Sequence, residues 1–340
     1  NMTESPSTLR KALYALASFS LGAWAFAKVN SISGPAFEPI IAACTNPDFA
    51  TVEEFASKTG YHVYEPKVGL GAFNLLVCLI TQFLFELRQT HPAGLITWTG
   101  VIIASLPTAV LNIVESGRAD VKRFHPVRFP MLVGLLYQLL GVSVIFPLVW
   151  VPSYIFGRGK GPISTWRANL IAPMIIPGII LTLFVFTAGT DSYLWTISAG
   201  ILGGPLLVMS SAVFWKDVSP PSTKENIVSG AAAIQKACRL LIPVGVAIWA
   251  IVVVTAFQTY DSFPALWASI WTEANASVAF MTIDSGILWV AILICIAFQD
   301  EYKAMKALVL TPIMGPGAAP LLVLAELEEM KVANGGTKDD

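Results

Sequence analysis

Residues 240–260 read LLIPVGVAIWAIVVVTAFQTY. No charge interrupts this run. At about 1.5 Å per residue a helix of that length spans about 30 Å, the thickness of a bilayer's hydrocarbon core. A surface helix of a soluble protein would need a polar face, and this run has none. Outward from it, further charge-free runs recur along the chain: Ala12–Ala27, Val68–Phe85, Pro92–Val114, Phe129–Phe156, Ala168–Thr190, Ser192–Trp215 and Ser285–Gln299. These predict an all-α polytopic transmembrane helical bundle of eight spans. A ninth, Leu308–Leu327, is broken by Thr311-Pro312 and Gly315-Pro316-Gly317, so it either crosses or dips in and returns.

Composition agrees. Of the 340 residues, 55% are hydrophobic and 13% charged, with net charge −1, and mean hydropathy is +0.68. Soluble domains carry about 25% charged residues. A soluble enzyme, a disordered chain and a nucleic-acid partner are excluded on these grounds. The four cysteines suggest no disulfide framework. Cys78, Cys238 and Cys295 read as buried apolar thiols, and Cys44 as a lone loop cysteine. His62, His91 and His125 are scattered across loops, so no metal site is expected. No segment reads as a linker, so residues 1–340 are taken as one domain. Arg10-Lys11, an apolar stretch and Ala25-Phe26-Ala27 share the layout of a signal peptide, but we read a retained first helix.

Orientation follows the lysines and arginines. With eight spans, the N-terminal side holds residues 1–11, 86–91, 157–167, 216–239 and 300–306, with twelve Lys/Arg. The other side holds 28–67, 115–128, 191 and 261–284, with seven. Four of those seven crowd into 118–128 and oppose the assignment. The sequon Asn275-Ala276-Ser277 supports it, placing the second side in a lumen as part of a glycoprotein. The expectation is an endoplasmic reticulum protein with a cytosolic N-terminus. Segments 28–67 and 261–284 should cap the bundle with short interfacial helices.

Polar groups inside a membrane are costly, so their positions inform. In the third span Trp98, Ser105, Thr108, Asn112 and Glu115 recur at spacings of 7, 3, 4 and 3, which places them on one face. Arg118 follows within ion-pair reach of Glu115. The face lines a polar cavity, or it is a packing seam ending in a Glu–Arg staple. Asn74, Tyr137, Gln138, Asp284 and Trp289 occur at compatible depths, and Glu38, Asp191 and Asp261 lie on the same side. A pocket among the second, third, fourth and eighth spans would be lined by Asn74, Trp98, Asn112, Tyr137 and Trp289. Glu86, Asp217, Asp300 and Glu301 each have a nearby Lys or Arg and read as interfacial ion pairs, while Lys236 and Arg239 read as snorkelling side chains.

Through Asn112-Ile113-Val114-Glu115-Ser116-Gly117-Arg118 and Leu135-Leu136-Tyr137-Gln138-Leu139-Leu140, together with its length and helix count, the chain resembles the integral-membrane terpene cyclases of fungal meroterpenoid pathways, of the ascofuranone and macrophorin type. That resemblance implies an isomerase of secondary metabolism. It would protonate an epoxide or terminal alkene on a prenylated, farnesyl-type substrate and close a ring, with acidic residues and no metal or other cofactor. An acid with that task must be neutral when substrate arrives, and aromatic walls would then shelter the cation. Glu115 and Asp284 are the candidate catalytic residues, dividing acid and base roles. The partners expected are a lipophilic substrate and the bilayer. A transporter of a small lipophilic molecule is the alternative, favoured by the broken helices, and a receptor or structural role is a third class. Little charge lies at mid-depth to couple ion transport, and no lysine in the last charge-free spans could carry a retinal Schiff base.

Overall fold

The computed structural model describes residues 7–45, 52–60, 71–184, 222–272 and 276–335. The expected sixth span, Ser192–Trp215, lies outside them, as do Asp191, Asp217 and Asn275. The described chain is all-α, and six of its helices are long and apolar enough to cross a membrane. We label the helices α1 (Thr8–Thr45), α2 (Val52–Thr59), α3 (Gly71–Phe85), α4 (Gly94–Ser116), α5 (Pro130–Leu140), α6 (Val142–Gly157), α7 (Thr165–Phe184), α8 (Lys224–Thr259), α9 (Phe263–Thr272), α10 (Ala276–Gln299) and α11 (Glu301–Gly335). The bundle end that holds Arg10 is called the near end.

α1 runs from the near end, where Arg10 meets Glu301 at 3.3 Å, past α10, where Ala25 and Val29 pack on Ile283 and Ile287. It stays helical to Thr45, so the first half of the expected 28–67 loop is helix. α2 is one of the short helices expected there. α9 is another in 261–284. Residues 276–284 of that segment are already part of α10, so Asp284 lies inside a span and not before one.

Three expectations are corrected, and one alternative left open by the sequence, the third below, is resolved. First, Gly71–Phe85, the described part of the expected span Val68–Phe85, does not cross. Cys44, at the far end of α1, forms a disulfide with Cys78 in α3. α3 continues through the π-helical turn Glu86–Thr90, where Glu86 accepts from Ser277 at 2.5 Å. His91 lies 3.3 Å from the Ser269 carbonyl. The middle of α3 and its C-terminal end are therefore both at the far end. Its apolar side chains, Leu79, Ile80 and Phe83 among them, line a cavity. Lipid burial and cavity lining leave the same mark in a sequence.

Second, Phe129–Phe156 is a hairpin and not a span. α5 enters from the near end, turns at Gly141 (φ 87°), and α6 leads back. A φ in that region suits glycine. The return arm is anchored by the aromatic ladder Phe146, Trp150 and Tyr154, stacked at 5.0 and 5.3 Å and fully buried. Its last residue, Gly157, packs on the ring of His125, where a Cβ would come within 2.0 Å.

Third, α11 dips in and returns. Gly315 (φ 87°) turns the chain inside the bundle, and Lys303 and Lys306 on the entering arm pair with Glu326 on the returning one. Pro316 has no N–H to offer the carbonyl four residues back, that of Pro312. The indole of Trp249 donates to it instead, at 3.1 Å. Close approach needs small residues at this tip: a Cβ on Gly315 would meet Trp249 at 2.6 Å, and one on Gly317 would meet the Ile103 carbonyl at 2.4 Å.

Fourth, the cysteine reading fails for Cys44 and Cys78 and holds for Cys238 and Cys295, which are buried and free. Two cysteines separated by 34 residues give no local signal of pairing.

With α3 held at the far end, α4 crosses from far to near. The loop Gly117–Phe129 therefore moves to the near end and Arg88 leaves it. The cluster Arg118, Lys122, Arg123 and Arg128 joins Arg10, Lys11, Arg158, Lys160, Arg167, Lys303 and Lys306, and the conflict in the charge count disappears. We expect a membrane-impermeant maleimide to label Arg123→Cys from the same side as a tag on the N-terminus, and Asp261→Cys from the opposite side. Labelling of Arg123→Cys and the tag from opposite faces would contradict this topology.

Candidate functional site

The far half of the bundle encloses a cavity of about 540 Å³ among α1, α3, α4, the α5–α6 hairpin, α7 and α10. That is within the usual range for small-molecule sites. Its walls are mostly aliphatic and aromatic: Phe26, Phe37, Phe83, Trp98, Tyr137 and Phe280 contribute rings. Phe83 meets Phe37 at 6.2 Å and Phe280 edge-on at 5.6 Å. A shallower recess of about 250 Å³ continues along α1 and shares Asn30, Ser33, Phe37 and Ile41 with the cavity. Exposed Glu38 is on its rim.

No Lys, Arg or His lines the cavity, and Asp284 is the one carboxyl that does, among the described residues. Asp284 is 4% exposed. Its neighbours Ile283 and Ile287 face α1, and the helical twist turns its own side chain to the hairpin tip. There Oδ1 accepts the backbone N–H of Ser143 at 3.3 Å. Gly141 is close enough that a Cβ would stand 3.7 Å from the same oxygen. The hairpin thus brings the Ser143 N–H, at the start of α6, to the carboxyl and fixes its position.

The other polar lining groups fall into two sets. Ser105 and Thr182 donate to carbonyls of their own helices, at 2.7 Å each, and the Trp98 indole donates to the Thr182 carbonyl at 3.3 Å. The Thr108 and Ser33 hydroxyls are buried without a hydrogen-bond partner, and the Tyr137 hydroxyl has only the Asn112 side chain to interact with.

The stripe on α4 therefore divides. Trp98, Ser105 and Thr108 line the cavity. Asn112 is fully buried beside Tyr137, just outside the lining. Glu115 is not in the site. It is buried at the near end, where the Arg118 guanidinium bridges it and Glu328 of α11, at 2.8 Å each. Arg118 also donates to the Gly161 carbonyl at 3.4 Å. Burial opposes the charge on Arg118, but the two carboxylates outweigh it and hold its pKa above the usual arginine value. Trp289 is also elsewhere: its indole donates to Thr311 of α11 at 3.2 Å. Asn74 is on α3, but its side chain lies outside the described residues, as does that of Gln138. Asp261 is an exposed residue of the far-end loop.

Other expected ion pairs change in part. Glu301 pairs with half-exposed Arg10, and exposed Arg239, read as a snorkelling side chain, lies 3.9 Å from Glu329. Glu86 bonds Ser277 at the far end, and the Asp300 carboxylate accepts the Lys303 backbone N–H at 3.0 Å.

Sequence reasoning missed Gly141, Ser143, Asn30 and Ser33. A glycine inside an apolar run signals a break, so Gly141 was detectable. Asn30 and Ser33 fell in a segment read as loop.

Comparison of the chain with protein-family models, with curated proteins and with solved structures finds no match.

Removing one partner of a buried ion cluster strands the others, at about 3–5 kcal/mol. We expect Arg118→Met to lower the melting temperature in detergent markedly and to reduce folded yield. A melting curve indistinguishable from wild type would contradict the role of this cluster.

Proposed function

We propose that this chain is a membrane-embedded, acid-initiated cyclase of a prenylated lipophilic substrate, with Asp284 as the proton donor. The observation that carries the reading is the placement of Asp284, the one carboxyl among the described residues that line it, in an aromatic-walled cavity that none of the described cationic side chains lines. Asp284 would deliver its proton to the epoxide oxygen or terminal alkene carbon. The resulting cation would sit among Phe83, Trp98 and Phe280, whose ring faces attract positive charge. Ring closure leaves a cation that must lose a proton, and the Asp284 carboxylate is the base at hand. Donor and acceptor are then one residue, and the net reaction is an isomerisation. The division of roles between Glu115 and Asp284 is not supported, because Glu115 is bound to Arg118 at the other end of α4.

Two observations support an endoplasmic reticulum setting with the N-terminus in the cytosol. The near end carries most of the described Lys and Arg, as cytoplasmic faces do. The Cys44–Cys78 disulfide is toward the far end, as suits an oxidising lumen.

The two re-entrant hairpins favour a second reading, a carrier of small lipophilic molecules, since broken helices at mid-depth build many transporter sites. Flux of a prenylated phenol into proteoliposomes with no chemical change would support it.

Incubation of membranes with prenylated phenol epoxides, with products resolved by mass and retention time, tests the cyclase reading. We expect Asp284→Asn to lower turnover by roughly 10²-fold or more, the scale of lost general acid catalysis, with folded yield preserved. Near-normal turnover by Asp284→Asn would remove the assignment.

A further inference from the structure

We propose that Thr108, Asn112 and Tyr137 form a second polar pole, which binds the neutral oxygen-bearing head group of a chain-like ligand whose other end reaches Asp284. The inference deepens the cyclase reading and rests on it for the reaction.

Four buried polar atoms meet there with no hydrogen bond to any group outside the cluster: Thr108 Oγ1, Asn112 Oδ1 and Nδ2, and the Tyr137 hydroxyl, which has only the Asn112 side chain to interact with. Thr108 is 3% exposed, Asn112 0% and Tyr137 9%. Thr108 and Asn112 are one turn apart on the same face of α4. Tyr137 reaches them from α5, with Asn112 beside its hydroxyl. Thr108 and Tyr137 face the cavity. Protein interiors seldom leave so many polar atoms of one cluster short of partners, and an absent ligand group or water is the usual reason.

The chemistry of the cluster restricts what it takes. The two hydroxyls each donate and accept, and the amide adds two donors and an acceptor. No Lys, Arg or His lines the cavity among the described residues, so nothing there balances a phosphate or carboxylate. A hydroxyl or carbonyl oxygen fits. The spacing restricts the ligand further. Gly100 packs on Ser285, next to Asp284. Thr108 and Asn112 are then two to three turns away along α4, about 12–18 Å. The walls between are aliphatic and aromatic. An apolar chain of that length, oxygen-headed at one end and reactive at the other, matches both poles.

Binding can be read separately from turnover, by competition against tritiated farnesene on the purified protein in detergent. The competitors are farnesol, farnesyl methyl ether, which can only accept, and farnesyl phosphate, which is charged. We expect farnesol to bind at least tenfold more tightly than farnesene, the methyl ether to fall between them, and the phosphate to gain nothing over farnesene. Tyr137→Phe and Asn112→Leu should each reduce farnesol to the level of farnesene and leave farnesene unchanged. If Asn112→Leu does not fold, Tyr137→Phe decides. Equal affinity of the wild type for farnesol and farnesene, or a preference that survives Tyr137→Phe, would overturn the proposal and leave ordered water as the partner of these atoms. Asp284→Asn should keep the preference. A wild type that shows the preference but turns over no prenylated epoxide would retain this pole and sink the cyclase reading.

Discussion

The contact between Asp284 and the tip of the α5–α6 hairpin governs the rest of the structure. Inside a bilayer, a chain that turns back must find partners for the backbone groups it exposes. At Gly141 the turn is possible because glycine takes φ 87°, and the Ser143 N–H finds its acceptor in Oδ1 of the Asp284 carboxyl. One interaction thus satisfies the turn, fixes the acid and closes one wall of the cavity. The α11 hairpin solves the same problem by another route, with the Trp249 indole supplying the donor that Pro316 lacks. Both hairpins enter from the near end, so that end is crowded with returning chain. The far half is left open enough to hold a ligand.

The two ends differ in what holds them. Near-end packing relies on buried and half-buried arginines bound to carboxylates and carbonyls. Arg118 joins α4 to α11, Arg167 donates to the Ile113 carbonyl at 3.0 Å, and Arg128 donates to the Val121 carbonyl at 2.7 Å. The far end relies on a disulfide and stacked phenylalanines. This division explains why two acids on neighbouring helices have unlike roles. Glu115 meets a cation and stays with it, whereas Asp284 meets a backbone N–H and a cavity.

Much of this was legible in the sequence, for physical reasons that also mark where reading stops. Charge-free runs declare immersion in lipid, and the spacing of Trp98, Ser105 and Thr108 declares a shared face. Glu115 and Arg118, three apart, declare an ion pair. What a run of apolar residues does not declare is whether it crosses, because a hairpin and a span meet the same solvent. Hence Phe129–Phe156 reads as a span and α3 as a crossing. The correcting signals were present as anomalies: a glycine after Leu140, and four cations in 118–128 on the wrong side of the count. The failure of Glu115 as a catalytic residue has a similar origin. Spacing along one helix gives a face, but only packing shows that the face passes from cavity to core between Thr108 and Glu115.

The central claim is that residues 130–157 turn back at Gly141 and bring α6 onto Asp284. The most direct test is the distance between spin labels on Phe129→Cys and Phe156→Cys, two positions that are 42% and 59% exposed. Background is low because Cys238 and Cys295 are buried. A hairpin of two packed helices places the labels at one end of the bundle, within about 20 Å. A single straight span would separate them by about 40 Å, at 1.5 Å per residue. The shorter distance is the predicted result, and the longer one would contradict the account.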